Sequence, residues 1–142
     1  MSLPRTLNAF CEMLRNQTGA RVVLGRPDTC PTPGDDASLC VWPWKLEADP
    51  AIRNAPPARP GRPEAAAHEI HFLVLATPAL TTDGLAKLDA ARKAMRDYAM
   101  LAVDGQTVQV VASPLPNEML AAVFTAAAMP LTLCLSGILR AP

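Results

Sequence analysis

The chain has 142 residues, the usual size of one domain, and a chain of that length buries roughly two-thirds of the surface its unfolded form exposes. Thirteen Lys and Arg balance thirteen Asp and Glu and the sequence pI is about 6.7, so no net field favours DNA, RNA or an anionic membrane as the main partner. The longest apolar stretches, Ile70 to Ala76 and Met129 to Leu139, fall short of the roughly 20 residues that span a bilayer.

Leu3, Leu7, Phe10, Cys11 and Leu14 recur at helical spacing, with polar residues between them and Gly19 placed to stop the turn. They predict an amphipathic first helix. Arg21 to Gly25 reads as a short strand, followed by a loop rich in Pro, Gly and Asp. Ser38 to Leu46 reads as a second strand whose Pro43 cannot donate to a ladder, which places it on a sheet edge or at a bulge. From Glu47 to Glu64 the composition shifts to five Pro with Arg53, Arg59 and Arg62, a polyproline-leaning excursion over about residues 47–66 and not core. His68 to Ala76 resumes as a strand with apolar residues on both faces, the mark of an interior strand covered on two sides. A second helix, capped by Thr82 or Asp83, carries Leu85, Leu88, Ala91, Met95, Tyr98 and Ala102 on one stripe and ends at Asp104-Gly105. Thr107 to Ala112 is a further strand. A third helix starts near Pro116 with Met119, Leu120, Val123 and Phe124 turned inward, Met129-Pro130 ends it, and Leu131 to Leu139 is the last strand.

The expected fold is therefore α/β: a single domain over residues 1–142, with a mixed sheet of about five strands and about three helices packed on it. No internal repeat interrupts that reading. The start of the chain lacks the basic stretch, continuous apolar run and cleavage site that export requires, so folding in the cytoplasm is expected.

Catalytic chemistry finds little support in the residue pattern. Cys11, Cys30, Cys40 and Cys134 are widely spaced, with no Cys-x-x-Cys, and three lie in apolar patterns; they are expected to be reduced thiols packed as small hydrophobes. His68 and His71 stand three apart on a strand, on opposite faces, and cannot share one ion without a bulge. No nucleophile elbow and no glycine-rich phosphate loop occurs among the seven glycines. Asp35-Asp36 sits in a Pro/Gly loop, where adjacent carboxylates serve solubility and turn geometry. An enzyme is therefore not expected, nor a metal or another cofactor. Trp42-Pro43-Trp44 holds both tryptophans of the chain on one face, either as core packing or as an anchor for another chain, since Trp is favoured at interface hot spots.

At Asp49-Pro50-Ala51-Ile52-Arg53-Asn54 the sequence resembles the N-terminal domain of the cap, or tube-terminator, proteins of extracellular contractile injection systems of the virulence-cassette and antifeeding-prophage type. There a strand leads into an Asn/Asp-Pro-x-apolar-Arg-Asn turn. A proline-rich stretch then precedes an apolar strand, here His71-Phe72-Leu73-Val74-Leu75, and a helix ending in a segment like Ala94-Met95-Arg96. The short helix and final strand of the family are similar to Met119 to Arg140. The pattern is departed from at Trp42-Pro43-Trp44 and in the last strand, where Cys134 and Leu135 stand in place of an aromatic.

The resemblance implies a phage tail-terminator-like fold and a structural role. Such a protein forms a ring of its own copies, a hexamer by analogy, on the end of the tube or sheath and stops polymerisation, assembled into a phage tail-like particle. Its partners would be itself and the tube and sheath proteins, with no nucleic acid and no membrane. Trp42, Trp44, Asp49, Pro50, Arg53, Asn54, Arg59 and Arg62 are the expected contact residues. The alternative is a small-molecule-binding or regulatory α/β domain that uses the Trp42/Trp44 face.

Overall fold

The computed structural model describes residues 2–30, 36–48 and 67–142. Helix α1, Leu3–Thr18, begins where the Ser2 side chain accepts the Arg5 backbone N–H, with Pro4 in the first turn. It ends at Gly19, whose φ of 67° is the left-handed value that closes a helix, its N–H donating to the Arg15 carbonyl. Strand β1, Val22–Leu24, follows at once, and Arg15 ties the two together by donating to the Val22 carbonyl at 2.9 Å.

Strand β2, Ser38–Ala48, lies parallel to β1 and antiparallel to β3, His68–Thr77. Helix α2, Thr82–Asp97, is capped by the Thr81 hydroxyl, which accepts from the Gly84 N–H. The chain then forms the hairpin of β4, Met100–Val103, and β5, Gln106–Ala112, and passes through α3, Asn117–Ala126, to β6, Leu135–Ala141. Among the described residues six strands run in the order β1-β2-β3-β6-β5-β4, and of their pairs only β1–β2 is parallel. The mixed α/β class with three helices is the one expected, and the sheet has one strand more than expected.

That extra strand corrects the reading of the second helix. The apolar stripe does not continue to Ala102: the helix stops at Asp97, and Met100 to Val103 alternate exposed and buried as a strand must. Asp104 and Gly105 both have positive φ, 50° and 76°, so they form a tight hairpin turn and not a helix stop. Two further expectations shift. Met119 is exposed and not inward, and residues 131–134 are not strand, so the last strand starts at Leu135 and runs to Ala141. Pro130 and the departing turn at Ala128, with a φ of 56°, hold that segment off the sheet.

Two cores lie on the two faces of the sheet. On one face Phe10 and Leu14 of α1 and Leu88, Ala91 and Met95 of α2 pack on Leu39, Val41, Ile70, Phe72, Val74, Val108, Val110 and Leu139. On the other, Phe124 of α3 packs on Trp42, Leu73 and Leu75. The alternation of β3 between these cores is the two-sided coverage that its sequence predicts. Among the described residues no helix is long and apolar enough to cross a membrane.

Candidate assembly interface

Pro43 decides how β2 presents its side chains. Strand β1 pairs with Leu39 to Val41, so among the described residues β2 beyond that point has a strand neighbour, β3, on one side. The β2–β3 register slips between Pro43 and Lys45, with Pro43 opposite Phe72 and Lys45 opposite His71. Trp44 is thus the extra residue of a bulge, the place where a proline is tolerated in a sheet. A one-residue slip moves every later side chain to the other face. Lys45 and Glu47, which strict alternation would set on the face of Val41, stand instead on the α3 face.

There they meet charged residues from two other strands. Glu47 lies opposite Glu69, and Glu69 opposite Arg140. The Lys45 Nζ is 3.1 Å from Glu47 Oε1, the His71 Nε2 is 2.8 Å from the same oxygen and 3.8 Å from Glu69 Oε2, and the Arg140 Nε donates to Glu69 Oε1 at 2.9 Å. The Lys45 ammonium, with help from His71, holds the Glu47 carboxyl below its ordinary range. Donor atoms of Glu47, Glu69 and His71 lie within 4.8 Å of one another, a set with the chemistry of a cation site. Lys45 and Arg140 already supply the counter-charge, so the geometry is that of an ionic ladder over three strands. It lies where β2 ends and β3 begins, the end of the sheet to which residues 49–66 connect.

Both tryptophans lie on the α3 side. Trp42 is buried and meets the Phe124 ring edge-on at 5.7 Å, so it belongs to the second core. Trp44 sits at the rim, half-buried, with its ring 5.6 Å from that of His71. Its Nε1 is buried without a hydrogen-bond partner among the described residues. Between the two rings, Arg26 and the end of α3 at Val123, Ala126 and Ala127 opens a cavity of about 360 Å³. Arg26 braces it by donating to the Ala127 carbonyl at 2.9 Å while paired with Asp28.

Of the sequence-predicted contact residues, Trp42 and Trp44 are thus brought together beside α3. Asp49, Pro50, Arg53, Asn54, Arg59 and Arg62 lie outside the described residues. The ionic ladder went unread in the sequence because it depends on cross-strand register. Its one available signal was Pro43 as a bulge marker. Exposed apolar side chains complete the surface: Met119 on α3, Leu131 and Leu133 in the segment between α3 and β6, and Met100 on the edge strand β4.

No protein-family model matches the chain, and no curated protein matches it. Solved structures do. The sheath/tube terminator of an extracellular contractile injection system (PVC) in its extended state is similar over the whole of this chain, with a TM-score of 0.73 and 16% identity. The tube-terminating cap of the anti-feeding prophage is similar over the whole chain as well, at a TM-score of 0.73 and 19% identity. This chain covers 56% and 55% of those two chains, about half their length. The fold is that of the tube-terminator and cap proteins which the Asp49 to Asn54 segment resembles.

Proposed function

We propose that this protein is a structural cap, not an enzyme, that sits on the end of the tube or sheath of a contractile injection system and stops its growth. The observation that carries the reading is the whole-chain likeness to two tube terminators, which agrees with the sequence resemblance at Asp49 to Asn54. A capping ring must satisfy the open edge of a polymer while presenting no copy of that edge on its other face. Edge strands at both ends of the sheet and the exposed apolar side chains of Met100, Met119, Leu131 and Leu133 suit such contacts. Its partners are copies of itself, in a hexameric ring by analogy, and the tube and sheath proteins of the same particle. The chain folds in the cytoplasm and is built into a phage tail-like particle there.

Sedimentation of the purified chain, alone and mixed with tube and sheath proteins, tests this directly. Ring-sized assemblies or co-sedimentation are expected. A chain that stays monomeric and binds neither polymer overturns the reading. The cavity between Trp42, Trp44 and α3 favours one other reading, a small-molecule-binding or regulatory domain. Thermal stabilisation by a metabolite in a chain that never assembles would select it.

A further inference from the structure

The turn after β1 folds back over the α3 face of the sheet. It runs from Gly25 through a single 3-10 turn at Pro27–Thr29 to Cys30. Arg26 fastens it to α3 through the Ala127 carbonyl, and the Gly25 N–H fastens it to β2 through the Val41 carbonyl. Cys40 lies on β2 opposite Leu75, on the same face as Trp42. The turn therefore delivers Cys30 onto Cys40, ten positions away in sequence, with the two Sγ atoms 2.7 Å apart. Both residues are buried, Cys30 at 7% and Cys40 at 0% exposure. Cys40 Sγ is also 2.9 Å from the Gly25 carbonyl oxygen, and Cys30 Sγ is 3.5 Å from that of Arg26. Cys11 belongs to the first core and Cys134 to the second.

We propose that Cys30 and Cys40 are a thiol pair that closes to an intramolecular disulfide, clamping the 25–30 turn to β2. The oxidant is a low-molecular-weight disulfide, R–S–S–R. Cys30, the more exposed of the two, attacks one sulfur as its thiolate, the R–S–S–R bond breaks, and the first RSH leaves with a proton. Cys40 then attacks the Cys30 sulfur of the mixed disulfide, the Cys30–SR bond breaks, and the second RSH leaves. In sum the two protein thiols lose two electrons and two protons, and one R–S–S–R is reduced to two RSH. Burial, with the neighbouring Cys30 thiol, pushes the Cys40 thiol well above its ordinary value. The second step therefore quickens as pH rises, because the thiolate is the attacking species. The clamp constrains a short loop in the unfolded chain, and the proposal holds whether or not the protein caps a tube.

The test uses the reduced full chain incubated with oxidised glutathione, then alkylated under denaturing conditions. Free thiols are expected to fall from the four of the sequence to two, with the mass lowered by two hydrogens. Cleavage at Asp35 and Asp36 is expected to leave the Cys30 and Cys40 peptides joined. The thermal midpoint should rise by about 10 °C. Cys134→Ser, a change at a half-buried position, should give the same linkage. Four free thiols, a stable glutathione adduct without ring closure, or a disulfide through Cys11, through Cys134 or between chains would each overturn the proposal.

Discussion

Arg140 and Glu69 show how single residues carry more than their own contacts. Glu69 is 7% exposed and ionisable, and Arg140 donates to it from the neighbouring strand at 2.9 Å. Removing the guanidinium leaves a buried carboxylate that faces the like charge of Glu47, with the His71 imidazole 3.8 Å away. Arg140→Ala is expected to destabilise the fold by about 1–3 kcal/mol, with Arg140→Lys recovering part of the loss, as read by urea denaturation. Gly137 is a second position where one atom matters. A Cβ there would stand 2.6 Å from Phe72 Cζ and 2.9 Å from the Val111 carbonyl oxygen. Phe72 is in the first core and cannot yield, so Gly137→Ala should cost about 1–3 kcal/mol by overpacking; an unchanged urea midpoint would contradict that. Acid acts through carboxylates at the same scale. The Ala37 N–H and then the Lys87 ammonium hold the Asp83 carboxyl below its ordinary range, and Lys45 does so for Glu47. A carboxyl depressed in the folded state stabilises it above the unfolded pKa, and that contribution is lost as pH falls through the folded value. Thermal midpoints should therefore drop below about pH 4, and Asp83→Asn should flatten that part of the profile.

Among the elements, α3 is the one held most lightly. It contributes a single buried residue, Phe124, and Pro116, which precedes its first residue, provides no side-chain cap. By contrast α1 and α2 each bury five residues and carry caps from Ser2 and Thr81. Amide hydrogen exchange should accordingly open α3 at a lower free energy than β3, which has a strand on each side and a core on each face. Phe124→Ala should cost about 3–5 kcal/mol and raise exchange in α3 first. If α3 proves as protected as β3, the division into a large and a small core is wrong. The β4–β5 hairpin teaches a different point about elements. Tyr98 and Ala102 continue the helical spacing of the second helix, and Asp104-Gly105 fits a helix stop as well as a turn. The short apolar run Met100 to Val103 with a following Asp-Gly is a hairpin signature, and it outranks a stripe extended past a helix of ordinary length.

At the scale of the molecule, the chain offers two edge strands and a sheet end where residues 49–66 leave and return. Under the proposed capping role, the expected contact residues Arg53, Asn54, Arg59 and Arg62 belong to that connecting segment, outside the described residues. Replacing Ala55 to Pro63 with a short Gly/Ser linker should change stability by less than about 1 kcal/mol, since closure entropy depends weakly on loop length. Ring formation and docking onto the tube should be lost or weakened, and Arg53→Ala should do part of the same damage. If the shortened chain still forms rings and still ends tubes of normal length in electron micrographs, the segment is only a tether.

Periodicity and punctuation were enough to read α1 with its Gly19 stop, the interior character of β3, Pro43 as a sheet-edge or bulge position and the mixed α/β class, because each is a property of residues near one another in the chain. The Asp49 to Asn54 segment carried the family resemblance for the same reason, being a short contiguous pattern. Tertiary structure decided what depends on which strands become neighbours. The slip at Trp44 that turned Lys45 and Glu47 toward His71, the meeting of Glu69 with Arg140 across 71 positions, and the delivery of Cys30 onto Cys40 all follow from register and strand order. Local patterns leave those undetermined, since a one-residue shift preserves every propensity while exchanging the two faces of a strand.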